Sequence, residues 1–134
     1  MLLIDTNIFL EVLFKQDKTE ECKTLLYRIV KGEKEAMITD FSIDSIIIVL
    51  ESKNKKNEIS VFLKSLLGYK GLKVHPVSLG EKIFAAELMK KYALDFDDSI
   101  QVASALSNNI NEIVSFDGGF DRIKEIKRLR PSET

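Results

Sequence analysis

Short apolar runs that end in acidic or hydroxyl residues alternate with longer segments of helical periodicity, and no other feature constrains the fold as strongly. Predicted strands cover residues 2–4, 36–39, 72–75 and 113–115, with a weak fifth strand near 126–129. Predicted helices cover about 6–14, 19–31, 41–52, 57–67, 78–92 and 97–108, and a short helical turn lies near 118–123. Short strands that alternate with helices indicate an α/β protein with a mainly parallel sheet.

One segment, residues 41–52, carries signals for both kinds of structure. The run Ser-Ile-Ile-Ile-Val-Leu has strand propensity, whereas the spacing of Ile43, Ile46, Ile47 and Leu50 matches one face of a helix. The helical spacing is the stronger signal, and Asp40 or Ser42 is the expected cap.

Length and composition point to one domain over residues 1–134, without disulfides. The formal net charge is −1, so the chain lacks the strongly basic balance of proteins that hold nucleic acid through counterion release alone. No run reaches the roughly 18 apolar residues of a membrane span. The first residues, Met-Leu-Leu-Ile-Asp, also lack the basic region of a signal peptide, so a cytoplasmic location is the expectation.

Acidic residues follow the predicted strands or open the helices beside them. Asp5 follows the first strand, Asp40 and then Asp44 follow the second, and Asp117 follows the fourth with one residue between. A further group, Asp95, Asp97 and Asp98, opens the helix before that fourth strand. Ligands of parallel sheets bind beyond the carboxyl ends of the strands, so these acids are candidates for a shared site.

Each acid also has a structural interpretation. Asp5 could cap the helix that follows it, and the acids at 95, 97 and 98 could complement a helix macrodipole. Asp117 before Gly118-Gly119 could belong to a turn. Asp44 is harder to explain in this way. It stands four residues after Asp40, which is an unfavourable spacing for like charges on a helix.

Taken together, the acids predict a divalent metal site. Four carboxylates in one crevice raise each other's pKa unless a cation keeps them ionised. Oxygen ligands suit Mg²⁺ or Mn²⁺. With one cysteine, Cys22, and one histidine, His75, the chain has no ligand set for zinc, and we interpret both residues as structural.

Three segments resemble the signatures of PIN domains, a family that includes the VapC-type toxin ribonucleases. Residues 3–10, Leu-Ile-Asp-Thr-Asn-Ile-Phe-Leu, look like the opening motif. Residues 94–105 resemble the second signature, an aspartate followed by a small residue and an apolar helix. Residues 113–121 resemble the third, in which a strand ends in Thr or Ser before an aspartate. The segments follow the family's order and span nearly the whole chain.

The resemblance assigns roles residue by residue. It makes Asp5, Asp98 and Asp117 metal-site acids, and Asp44 stands where the family usually has a glutamate, with Glu51 as a weaker substitute. Asp98 fits the motif better than Asp97, because it directly precedes Ser-Ile-Gln-Val-Ala. The expected supporting residues are Thr6, Asn7, Ser115, Asp97 and Asp121.

The resemblance also implies a fold and an activity. The fold would be a three-layer α/β/α sandwich around about five parallel strands, with the first and fourth strands adjacent. The activity would be hydrolysis of RNA by one or two Mg²⁺ or Mn²⁺ ions, leaving 5′-phosphate and 3′-hydroxyl ends. An antitoxin protein and a second copy of the chain remain open as partners. Basic side chains that could meet the RNA backbone, or simply form a solvated face, are Lys53, Lys55, Lys56, Arg122, Lys124, Lys127, Arg128 and Arg130.

Two alternatives stay open. The first is a PIN fold that binds RNA or protein with weak or no catalysis, which the change from glutamate to Asp44 leaves open. The second is an aspartate-dependent phosphotransfer or receiver domain. Such enzymes often pair two acids two residues apart, but position 7 is Asn7, and the fourth strand does not end in the lysine that a receiver needs.

Overall fold

The fold is built on five parallel strands, described here from a computed structural model that covers residues 1–134. The strands are β1 (Leu2–Ile4), β2 (Ala36–Thr39), β3 (Leu72–His75), β4 (Glu112–Val114) and β5 (Lys127–Leu129). Their order in the sheet is β3-β2-β1-β4-β5, and every pair is parallel. The predicted parallel sheet and the adjacency of β1 and β4 are therefore confirmed.

Six helices connect the strands. They are α1 (Thr6–Leu13), α2 (Thr19–Val30), α3 (Asp40–Ser52), α4 (Asn57–Leu66), α5 (Leu79–Tyr92) and α6 (Phe96–Ser107). Two short 3-10 helices, Gly118–Arg122 and Pro131–Glu133, flank β5. Each predicted element is present within about two residues of its expected ends. No helix is long and apolar enough to cross a membrane.

Alternating side chains of the strands divide the core into two layers. Leu2 and Ile4 pack with α1, α2, α3 and α4 on one face, while Leu3 packs with α5 and α6 on the other. Strands that are buried on both faces read as continuous apolar runs, which is why β1 and β2 have no polar alternation. The expected three-layer α/β/α sandwich is confirmed.

The contested segment is a helix, but its cap differs from the prediction. Thr39 is the N-cap of α3: its backbone is extended, and its Oγ1 accepts a hydrogen bond from the backbone N–H of Ser42 at 3.0 Å. The expected cap Asp40 is already helical, and its carboxylate accepts a hydrogen bond from the backbone N–H of Val77 at 3.0 Å. The last residue of β2 is therefore also the N-cap of α3, and this helix starts one residue earlier than predicted.

The order of the strands sets the position of the site. From β1 the chain adds β2 and β3 on one side and β4 and β5 on the other, so the direction of winding reverses between β1 and β4. Crevices for ligands form beyond the carboxyl ends of the strands at such a reversal. Asp5 and Ser115, the residues that directly follow β1 and β4, therefore meet at this crevice.

Candidate metal centre

The carboxylate of Asp5 lies at the centre of the candidate site and is almost completely buried, with 2% of the residue exposed. Asp5 occupies the N-cap position of α1, but its side chain makes no capping hydrogen bond. Instead, Ser115 Oγ donates to Asp5 Oδ2 at 2.6 Å, and Gln101 Nε2 donates to Asp5 Oδ1 at 3.0 Å. Asp5 is therefore the N-cap of α1 by position, but its carboxylate is held mainly by Ser115 and Gln101.

Ser115 is held so that its hydroxyl hydrogen points at Asp5. Its Oγ accepts a hydrogen bond from the backbone N–H of Asp117 at 2.9 Å, which leaves the hydroxyl hydrogen for the carboxylate. Burial raises the pKa of Asp5, and the hydrogen bonds from Ser115 and Gln101 act against that rise because they favour the charged form.

The first turn of α6 brings further acids to the same crevice. Asp95 is the N-cap of α6, and its Oδ1 accepts a hydrogen bond from the backbone N–H of Asp98 at 2.8 Å. Burial, then the charges of Asp5 and Asp95, raises the pKa of Asp97 to about 6. Burial, then the charges of Asp95, Asp5, Asp117 and Asp97, raises the pKa of Asp98 to about 8.

These pKa shifts show that burial, followed by repulsion between the carboxylates, dominates the electrostatics of the crevice. A helix N-terminus normally stabilises carboxylates by about 0.3–1 kcal/mol. At the start of α6, the neighbouring carboxylates and the loss of water outweigh that stabilisation, because the pKa values of Asp97 and Asp98 rise rather than fall. The sequence-based interpretation of these acids as simple complements of the helix dipole is therefore insufficient.

Asp117 and Asp121, on the loop after β4, have different surroundings. Asp117 Oδ1 accepts a hydrogen bond from the backbone N–H of Gly119 at 2.8 Å, so this residue does form the expected turn. It nevertheless lies close enough to Asp5 and Asp98 for its charge to raise both pKa values. Asp121 forms a two-pronged ion pair with Arg128, at 3.0 Å for each contact, and this pair lowers the pKa of Asp121.

A cluster of hydroxyl groups, Thr6, Thr39 and Ser42, joins the starts of α1 and α3 beside the acids. Thr6 Oγ1 donates to Ser42 Oγ at 2.9 Å, and Thr39 Oγ1 lies 3.1 Å from the same oxygen. All three residues are buried. The role of Thr6 as a polar support stays a prediction, and Ser42, expected only as a candidate helix cap, belongs to the same cluster. Asn7, the other expected support on α1, is exposed.

Asp44 and Glu51 stand apart from these contacts. Both are exposed on α3, and neither carboxylate takes part in a hydrogen bond or an ion pair of the structure. The unfavourable spacing from Asp40 is relieved, because Asp40 is turned towards Val77. The role of Asp44 as a metal ligand therefore stays a prediction.

The residues of the crevice suit a hard divalent cation in their chemistry. All the candidate ligands are oxygen atoms, as Mg²⁺ and Mn²⁺ prefer. The carbonyl oxygen of Gln101 is buried without a hydrogen-bond partner, beside the carboxylate that its own amide group contacts. No three Asp, Glu, His or Cys side chains are close enough together to enclose an ion as they stand. Repulsion between carboxylates that no cation compensates favours an arrangement in which these side chains stay apart.

Comparisons with known proteins agree on one family. The model of the PIN domain matches residues 2–126. Among solved structures, the toxin VapC20 of Mycobacterium tuberculosis, which cleaves the sarcin-ricin loop, is similar with a TM-score of 0.79 at 16% identity, over 98% of this chain and all of that one. A toxin-antitoxin complex from Klebsiella pneumoniae gives 0.70 at 18% identity, and FitAcB from Neisseria gonorrhoeae gives 0.74 at 19%, each over the full length of both chains.

These likenesses are structural rather than close in sequence. No curated protein matches the chain significantly by sequence. At 16–19% identity, the solved structures support the fold and carry no residue roles to this chain.

The raised pKa values predict how the stability of the metal-free protein depends on pH. The pKa of Asp98 rises from 3.8 to about 8 on folding, so the folded state binds protons more tightly than the unfolded state over that range. The free energy of unfolding should therefore fall as pH rises from about 5 to about 8, measured by urea denaturation with a chelator present. Asp98→Asn should remove the upper part of this fall, and Asp17→Asn, a change at an exposed acid away from the crevice, should not. A free energy of unfolding that increases over this range would contradict the raised pKa values of Asp97 and Asp98.

Proposed function

The chain belongs to the PIN domain family, and we propose that it hydrolyses RNA phosphodiester bonds with Mg²⁺ or Mn²⁺ as cofactor. The observation that carries the proposal is that Asp5, Asp97 and Asp117 lie close enough to Asp98 for their charges to contribute to its raised pKa, which reaches about 8. Carboxylates that lie this close together either take up protons or need a compensating charge. A bound divalent cation supplies that charge, and it also offers Lewis-acid activation of water and charge stabilisation at the leaving oxygen.

The residues of the crevice would have different roles in binding the cation. Asp5, Asp98 and Asp117 would hold the cation, and Asp44 would join them in place of the glutamate usual in the family. Ser115 holds Asp5 through its short hydrogen bond, and its contact with the backbone N–H of Asp117 links two of the candidate ligands. Asp97, half-buried next to Asp5, adds negative charge to the crevice.

RNA rather than a small phosphate ester is the proposed substrate because the similar toxin VapC20 cleaves the sarcin-ricin loop, and because exposed lysines of the chain suit backbone phosphates. Lys53 and Lys56 are exposed near the end of α3, and Lys124 and Lys127 are exposed before and within β5. None of these four lysines forms an ion pair, so they remain available for backbone phosphates. Arg128 and Arg130, also expected as RNA contacts, are instead paired with Asp121 and Glu21.

Asp5→Asn tests the metal-dependent chemistry. The substitution keeps the shape of the side chain but removes the central charge, so cleavage of an unstructured RNA in Mn²⁺ should be abolished. The rise in melting temperature that Mn²⁺ causes in the unsubstituted protein, by binding the folded state preferentially, should also be lost. Without metal, Asp5→Asn should be at least as stable as the unsubstituted protein, because a buried charge is removed.

Asp17→Asn is the control, because it changes an exposed aspartate outside the crevice, and it should retain both cleavage and the thermal shift. Full activity of Asp5→Asn would remove this residue from the mechanism. Loss of cleavage by a protein that still binds Mn²⁺ normally would separate catalysis from metal binding.

A second pair of variants tests Asp44, which the structure leaves exposed. If this carboxylate reaches the metal, Asp44→Ala should lower the cleavage rate tenfold or more, which corresponds to about 1.4 kcal/mol in the transition state. Asp44→Glu should retain or increase the rate, because its side chain is one methylene longer. An unchanged rate in Asp44→Ala together with a large loss in Glu51→Ala would place the fourth acid two helical turns later. Unchanged rates in both would leave a site formed by β1, α6 and the loop after β4.

We further propose that the protein is the toxin of a toxin–antitoxin pair. The similarity to a toxin and to a toxin–antitoxin complex supports this role. Large apolar side chains are exposed on α3, on α4 and directly after it, namely Ile48, Val61 and Leu67, and on α5, namely Leu79 and Ile83. Exposed apolar surfaces of this kind suit a protein partner or a second copy of the chain.

Expression in bacteria tests the toxin role. The unsubstituted protein should arrest growth, and co-expression of the product of an adjoining reading frame should restore it. Asp5→Asn should cause no arrest but should still co-purify with the partner, because the apolar surfaces are unchanged. A protein that cleaves RNA in vitro and never affects growth would overturn the toxin role and leave the ribonuclease proposal intact.

A further inference from the structure

The least expected polar residue of the crevice is Gln101, on the second turn of α6. The residue is completely buried in a segment, Ser-Ile-Gln-Val-Ala, whose neighbours are also buried. A buried amide without hydrogen bonds costs roughly 1–3 kcal/mol in proteins, so its contacts indicate why it is there. Every hydrogen bond of its side chain goes to a carboxylate.

The two amide hydrogens of Gln101 reach two different acids. Nε2 donates to Asp5 Oδ1 at 3.0 Å and lies 3.5 Å from Asp97 Oδ1, a longer and weaker contact. The reverse orientation of the amide would place the carbonyl oxygen against both carboxylates, where like partial charges repel, so the chemistry fixes the assignment. Asp97 and Gln101 are four residues apart and therefore share one face of α6.

The carbonyl oxygen of Gln101 gains nothing from this arrangement. It is buried and has no hydrogen-bond partner. A side chain that only filled the core would be less costly as an apolar residue of the same size, because such a residue leaves no polar atom unsatisfied. The hydrogen bond to Asp5 is therefore the contribution that offsets the cost of burying an unpaired carbonyl oxygen.

Asp5 is consequently held from two sides. Ser115, from the end of β4, occupies one lone pair of Oδ2, and Gln101, from α6, occupies one lone pair of Oδ1. Each carboxylate oxygen has a second lone pair. The backbone N–H of Asn7 also acts on the carboxylate and lowers its pKa, and the lone pairs that remain would serve a cation. Hydrogen-bond partners that orient a metal ligand in this way usually contribute 10- to 100-fold to metal affinity or activity.

We propose that Gln101 is the positioning residue that fixes the orientation of the Asp5 carboxylate and couples it to Asp97, so that the crevice is prepared to bind a divalent cation. The inference rests on the proposed function for the identity of the site, but it concerns the residues of the chain and not the RNA. Gln101 touches no substrate, because it is completely buried behind the acids. Its effect should appear in metal affinity before it appears in RNA binding.

The test is Gln101→Met, which keeps the length and approximate volume of the side chain and removes both donors. Isothermal titration with Mn²⁺ should show a Kd that is about 10- to 100-fold higher than that of the unsubstituted protein. In RNA cleavage, the Mn²⁺ concentration for half-maximal rate should rise by a similar factor, while KM for RNA measured at saturating Mn²⁺ stays unchanged. Saturating Mn²⁺ should restore most of the rate, which a damaged fold would not allow.

Two further variants keep the test decisive. Ser99→Ala removes another fully buried polar atom without a hydrogen-bond partner from the same helix, but it leaves the donors to Asp5 in place, so its Kd for Mn²⁺ should be unchanged. Gln101→Asn keeps an amide that is one methylene too short to reach Asp5. It should weaken Mn²⁺ binding as Gln101→Met does, and it serves if the methionine variant does not fold.

Several outcomes would overturn the inference. Normal Mn²⁺ affinity in Gln101→Met or in Gln101→Asn would do so. An equal loss in Ser99→Ala would do so too, because it would assign the effect to the packing of α6. A failure of the unsubstituted protein to bind Mn²⁺ would overturn the site and the inference together. An unsubstituted protein that binds Mn²⁺ but does not cut RNA would overturn only the proposed function, and the comparison of Kd values would still decide the role of Gln101.

Discussion

The burial of the Asp5 carboxylate is the constraint on which the rest of the site depends. A charged group that is nearly inaccessible to water needs hydrogen-bond donors, and an isolated strand cannot provide them. Because β1 lies between β2 and β4, the residue that follows β4 can supply one donor, Ser115. Helix α6 supplies the other, Gln101. The burial of Asp5 thus requires that β4 lies beside β1 and ends before Ser115, and that α6 places Gln101 beside the carboxylate.

Crowding of the acids has a physical cost that the fold tolerates. The N-terminus of α6 carries Asp95, Asp97 and Asp98 within four residues, and the last of these has its pKa raised to about 8. A sequence selected only for stability would not retain this arrangement, since replacing an acid with a neutral residue would relieve the repulsion. Strongly perturbed pKa values concentrate at functional sites for this reason. The neutral hydroxyls of Thr6, Thr39 and Ser42 complete the crevice without adding charge.

The sequence predicted the fold well because its signals are local. Apolar runs, helical spacing and strand-end acids define the elements, and parallel order brings their ends together. The cap of α3 was not predicted because it depends on the backbone angles of Thr39. The contact of Gln101 was not predicted because its partner, Asp5, is distant in sequence. Asp44 shows a related limit. Successive helical residues turn by about 100°, and because Ile43, Ile46 and Leu50 face the core, Asp44 points to solvent.

The charge distribution places a condition on the proposed reaction. The crevice itself is acidic, and two of the arginines expected to contact RNA are already engaged, Arg128 with Asp121 and Arg130 with Glu21. With a net charge of −1, the chain has no general attraction for RNA that could outweigh local repulsion. Before the charges of Asp5, Asp97 and Asp98 are offset, a phosphodiester would meet like charge at the point of cleavage. The same acids that make the site a candidate for catalysis therefore make RNA binding there dependent on the cation.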